Sequence, residues 1–142
     1  MKRVVLLALV VGLALALSVA TVSDVSASRP IPPFIGAWEN LDIVDGSHQG
    51  LTIAPRHGAY RVVYRDDAAT ACGYDAKGRL YPLLGIGSGT AAGDVLTADI
   101  VFWCMTHRPT VLAELTMTFT YHAFTDTLTD NWSQEWNRMG AR

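Results

Sequence analysis

From residue 34 onward the chain alternates apolar and polar side chains with a period of two, and this pattern restricts the fold more than any other feature. Successive side chains of a strand point to opposite faces, so alternation describes a strand with one face buried and one in water. In "VLAELTMTFTY", Val111, Ala113, Leu115, Met117, Phe119 and Tyr121 share one face, opposite Leu112, Glu114, Thr116, Thr118 and Thr120. In "DVLTADIVFWC", Leu96, Ala98, Ile100, Phe102 and Cys104 oppose Thr97 and Asp99. In "AYRVVYR", Tyr60, Val62 and Tyr64 oppose Arg61 and Arg65, and Leu51 with Ile53 gives a shorter version. No segment in this region repeats at i, i+3, i+4 over three turns, which predicts little or no helix.

Turn residues at 44–47, 56–58, 65–68, 75–78, 87–94, 106–109 and 124–126 divide the pattern into eight strands. Short consecutive hairpins predict an all-β domain: a single eight-stranded antiparallel up-and-down barrel, which leaves no strand edge unpaired. A two-sheet sandwich is the second choice, because it calls for a long crossover connection that the sequence lacks. The run "GIGSGTAAG" leads into a strand and not a helix, so no helix N-terminus is there to hold a phosphate.

The first 27 residues read differently. Lys2 and Arg3 precede an unbroken apolar run over 4–17, and small residues follow up to Val25-Ser26-Ala27. That order predicts a secretory signal peptide over 1–27, in preference to an uncleaved membrane anchor over 4–22. Residues 28–33 are a proline-rich linker, and 34–142 form one domain with no stable membrane insertion of its own. Removing Lys2, Arg3 and Asp24 moves the net charge from −2 to about −3, which gives no support to a nucleic-acid partner. In an oxidising compartment the two cysteines, Cys72 and Cys104, predict a disulfide.

Gly36-Ala37-Trp38 at the start of the first strand, with Arg138 near the end of the last, resembles the pattern of the lipocalin and calycin superfamily. The resemblance implies that Trp38 packs across the closed end of the barrel with the Arg138 side chain over it. The physical logic is independent of the family. A glycine lets other groups come close, an indole fills a tapering floor, and a guanidinium over its face gains cation–π energy. The chain is shorter than most lipocalins, and no helix follows its last strand.

In a meander alternate turns share an end, which sorts the charges into an acidic mouth (Asp42, Asp45, Asp66, Asp67, Asp94, Asp126) and a basic floor (Arg56, Lys77, Arg79, Arg108, Arg138), with Asp75 the exception. The expected interior aromatics are Tyr60, Tyr64, Phe102, Phe119, Tyr121, Trp132 and Trp136. They either grip a ligand or fill the barrel. Asp130 and Gln134 share the parity of Trp132, and are either ligand hooks or residues of a wet mouth. His48, His57, His107 and His122 are scattered, without metal-ligand spacing. The expectation is therefore a secreted, non-enzymatic binding protein without a cofactor or metal. Its ligand is a small, largely apolar or cationic amphiphilic molecule, held by Tyr60, Tyr64, Phe102, Phe119, Tyr121, Asp130, Trp132 and Gln134. The alternative is an extracellular protein-interaction or inhibitor domain with a filled barrel.

Overall fold

The computed structural model describes residues 33–140. The expected signal peptide over 1–27, the alternative anchor over 4–22 and all of the expected linker except Pro33 lie outside the described residues. Eight strands form a closed antiparallel barrel in which each pairs with the next and the last with the first. They are β1 (Gly36–Leu41), β2 (His48–Arg56), β3 (Ala59–Asp66), β4 (Leu83–Ala92), β5 (Val95–Cys104), β6 (Thr110–His122), β7 (Thr127–Asp130) and β8 (Glu135–Arg138). Among the described residues the one helical feature is a 3₁₀ turn at Thr70–Cys72, and no helix there is long and apolar enough to cross a membrane.

Alternation places the core where period-two reasoning puts it. Leu51 and Ile53 of β2, Val62 and Tyr64 of β3, Leu96, Ala98, Ile100 and Phe102 of β5, and Met117 and Phe119 of β6 are all buried in one cluster. Trp38, Leu128 and Trp136 join them from β1, β7 and β8, and Phe34 covers the floor from just before β1. Val62, Leu96, Met117, Phe119, Leu128, Trp38 and Trp136 expose 0% of their surface, so not even a water molecule fits beside them. Burial of each such side chain contributes about 1.5–3 kcal/mol.

The strand count agrees with the sequence reading, but two boundaries differ and offset each other. The expected strand between the turns at 65–68 and 75–78 does not form. Residues 67–82 are one long connection, holding the 3₁₀ turn and a single bridge between Tyr74 and Leu80. Conversely, the expected last strand is two, because Asn131 to Gln134 form a tight turn in which Ser133 has φ +65°. The expected turn at 87–94 shrinks to Gly93 and Asp94, since β4 continues to Ala92. The glycines there serve the barrel wall. A Cβ on Gly85 would lie 2.7 Å from the Phe102 ring, and one on Gly87 or Gly89 would strike the backbone of β5 at Asp99 or Thr97. Their absent side chains leave that space to Phe102, Ile100 and the close approach of β5.

With one strand fewer before residue 87, the later turns exchange ends and the expected separation of charge is only partial: Asp42, Asp45, Asp66 and Asp67 stay at the mouth and Arg56 and Arg138 at the floor. Asp94 and Asp126 lie at the Trp38 end, and Lys77, Arg79 and Arg108 lie at the other with Asp42, Asp45, Asp67 and Asp75. Strand β6 also departs from expectation. It pairs with β5 over most of its length but with β7 only from Phe119 to His122. A bulge leaves Leu112 between the Val111–Trp103 and Ala113–Phe102 pairs. The first half of β6 thus projects past the short β7, and Val111 and Leu115, expected on a buried face, are exposed.

The disulfide between Cys72 and Cys104 is present, with Cα atoms 5.3 Å apart. It ties the long connection to the mouth end of β5. Closing a loop of this length stabilises the fold by about 3–4 kcal/mol in the chain-entropy account.

Candidate functional site

The floor is built as the Gly-x-Trp pattern implies. Trp38 and Arg138 are partners in the β1–β8 register, and the guanidinium carbon sits 4.0 Å from the indole ring centroid. Trp38 Nε1 donates to the Phe34 carbonyl at 3.0 Å. Arg138 donates from Nη1 to the Ile35 carbonyl at 2.8 Å and from Nη2 to the Pro33 carbonyl at 2.7 Å, so it also fastens the entering chain. Its Nε donates to Asp126 at 2.8 Å, and Asp126 also accepts from the Tyr121 hydroxyl at 3.1 Å. These bonds, those from Arg138 first, hold the Asp126 carboxyl below its ordinary value. The Trp38, Tyr121 and Arg138 donor atoms are thus all bonded within the floor.

The expected interior aromatics divide between the two ends. Tyr60 and Tyr121 pack edge-on against Phe34 at 6.1 and 6.3 Å, sealing the floor. Tyr64 packs edge-on against Phe102 at 5.4 Å and Trp136 at 5.7 Å, nearer the mouth. Phe119 lies fully buried between, so the bore is occupied by these rings. Trp132, expected inside, is instead 54% exposed, because the β7–β8 turn swings it to the rim.

Above the Tyr64 layer the mouth opens into a recess of about 210 Å³ lined by Asp42, Gln49, Tyr64, Asp66, Asp130, Trp132 and Gln134. The long connection supplies a further wall at Ala69, Thr70 and Ala71, beside the disulfide. Of the residues proposed from the sequence, Tyr64, Asp130, Trp132 and Gln134 meet here; Tyr60, Phe102, Phe119 and Tyr121 do not line it.

Each acidic side chain is placed by local backbone. Asp130 is buried because it caps the β7–β8 turn: Oδ1 accepts from the backbone N–H of Trp132 at 2.8 Å and of Gln134 at 3.0 Å, and Oδ2 from Trp136 Nε1 at 3.2 Å. Asp66 ends β3 and accepts from Ser47 Oγ at 2.8 Å and the Ala68 N–H at 3.0 Å. Asp42 starts the β1–β2 turn, accepting from the Val44 N–H at 2.7 Å. The Gln134 amide is held by Asn40, whose Nδ2 donates to Gln134 Oε1 at 2.8 Å.

Gln49 joins these groups. It faces Asp66 across the β2–β3 register, and its Nε2 donates to Asp42 at 2.9 Å and, more weakly, to Asp66 at 3.4 Å. Its Oε1 is buried and has no partner among the described residues. Turning the amide over would set that oxygen against two carboxylates, so charge fixes the orientation. The Tyr64 hydroxyl titrates well above its ordinary range, first because it is buried and then because Asp66, Asp42, Asp130 and Asp45 surround it with negative charge.

Gln49 was not found by the sequence reading, and Asp66 was read as a turn residue. The signal was the alternation itself, since Gln49 continues the inward series Leu51, Ile53, and Asp66 continues Val62, Tyr64. A larger concavity of about 610 Å³ lies outside the barrel on β2 to β4. Its polar side chains, Thr52, Arg61 and Arg65, are all exposed, so nothing buried there calls for a ligand. Comparison of the chain with known protein families, with curated proteins and with solved structures finds no match in any of the three.

Proposed function

We propose that this chain is a secreted, non-enzymatic binding protein on a lipocalin-like barrel, taking a small ligand at its mouth and not in its bore. The observation that carries the reading is the contrast between the two ends of the core. Over most of its length the core is apolar and packed. At the mouth the same inward-facing rows end in Gln49, Asp66 and Asp130, all buried and all polar. Burying a polar group costs free energy unless it is hydrogen-bonded, so a barrel selected for stability alone would continue its apolar rows. The disulfide, the signal-like first 27 residues and the proline-rich linker support export.

Native mass spectrometry of the protein purified from its own host tests this reading. The expected result is a small-molecule adduct on the wild-type protein that Gln49→Leu loses. A protein that carries no adduct, and that binds nothing from a small-molecule extract of its host, overturns it.

The second reading is an extracellular interaction or inhibitor domain. It is favoured by the filled bore and by the projecting half of β6, where Val111, Leu112 and Leu115 are exposed.

A further inference from the structure

We propose that the mouth recess binds a small organic cation: an ammonium or guanidinium head on a short carbon body, with one N–H donated to Gln49 Oε1 and the charge facing Asp42, Asp66 and Asp130. The inference rests on the mouth-binding reading above and narrows it to a class of ligand.

The orphan amide oxygen comes first. Gln49 is 4% exposed and forms part of the recess wall, and its Oε1, closed to solvent as the recess stands, has no donor among the described residues. A ligand that satisfies this oxygen must donate a hydrogen bond and draw the Gln49 carbonyl toward the recess. The second observation is the charge of the lining, which holds three aspartates and no Lys, Arg or His. Their own hydrogen bonds to the backbone, to Ser47, to Gln49 and to Trp136 hold the carboxylates in place and leave acceptor capacity on oxygens that take two bonds each. An anion would meet uncompensated repulsion here, whereas a cation replaces its lost hydration with fixed carboxylates.

Tyr64 and the half-exposed Trp132 add aromatic rings to the lining, the residue type that recognises organic cations. A volume of about 210 Å³ is smaller than the ~300–1,000 Å³ of pockets for drug-sized molecules, which limits the carbon body. A divalent metal fits less well. Among the described residues no three His, Cys, Asp or Glu side chains converge as a metal site, so the carboxylates suit an extended, multi-donor head better than a point charge.

The test is a titration of the ¹⁵N-labelled protein followed on the Gln49 side-chain amide and the Trp132 indole N–H. The probes are n-butylammonium, methylguanidinium, their neutral counterpart n-butanol, and calcium. The expected result is saturable shifts of both resonances with the two organic cations, weakened by added salt, and none with n-butanol. Gln49→Leu and, separately, Asp66→Asn should each weaken binding about tenfold or more, while Glu114→Gln on the outside of β6 leaves it unchanged. If n-butanol matches the cations, or calcium alone binds, the cation assignment fails while a ligand site at the mouth survives. If no probe and no host extract moves either resonance, the inference and the binding reading fail together.

Discussion

Gly36 has two reasons to be glycine. Its φ is +150°, which L side chains avoid, and a Cβ on it would stand 2.6 Å from Arg138 Nη1. Gly36→Ala should therefore destabilise the protein by about 1–3 kcal/mol, measurable as a lower denaturant midpoint. Trp38→Ala should cost more, about 3–5 kcal/mol, because the floor loses both its filling and its cation–π partner. Asp126 gives a pH signature. Its folded value is depressed by Arg138, so its contribution is present above the unfolded value of about 3.9 and is lost as pH falls through the folded one. With the Asp126 side chain 40% exposed, the contribution at neutral pH is at most about 1 kcal/mol. Melting temperatures of wild type and Asp126→Asn should differ at pH 7 and converge below pH 4. A gap that stays constant on acidification would contradict the pairing. At this scale the sequence was legible where one residue type has one physical use, as in Gly36, Trp38 and Arg138. Gln49 escaped because a polar residue beside a turn reads as solvated until the parity of its strand is carried through it.

Strand β4 shows why element boundaries were harder to read than element type. Gly85, Gly87 and Gly89 look like punctuation, because glycine is the commonest turn residue. Here they occupy the inward row opposite Phe102, Ile100 and Ala98, where the larger neighbours claim their volume. No local rule distinguishes the two uses, since the difference lies in what the adjacent strand carries. Gly87→Ala should cost at least about 2 kcal/mol, since its Cβ would meet the rigid backbone at Asp99 and not a side chain able to rotate away. The same substitution at Gly46, where a Cβ meets nothing within 4 Å, should cost less, about 1 kcal/mol through its φ of +74° alone. Thermal unfolding of the two variants side by side checks the order. The missing strand between the turns at 65–68 and 75–78 has the opposite origin: good turn residues bracket a segment too short in apolar alternation to hold a strand, and the chain there relies on Cys72 instead.

For the whole molecule, closure of the barrel followed from the alternation, whereas which turns share an end did not, because a single misassigned strand exchanges every later turn between ends. That is why Asp126, expected far from Arg138, is bonded to it. The disulfide acts at this scale too, since it fixes the connection that walls the mouth recess. Replacing both cysteines by serine should cost about 2–5 kcal/mol and weaken any mouth ligand along with it. The central claim is that the bore is solid and that function resides at the rim. Xenon enters empty apolar cavities, so methyl NMR under xenon pressure tests the claim directly. The account predicts that the methyl signals of Leu96, Ile100, Met117 and Leu128 stay in place, whereas saturable xenon shifts at those four residues would reveal a vacant interior and return the ligand to it.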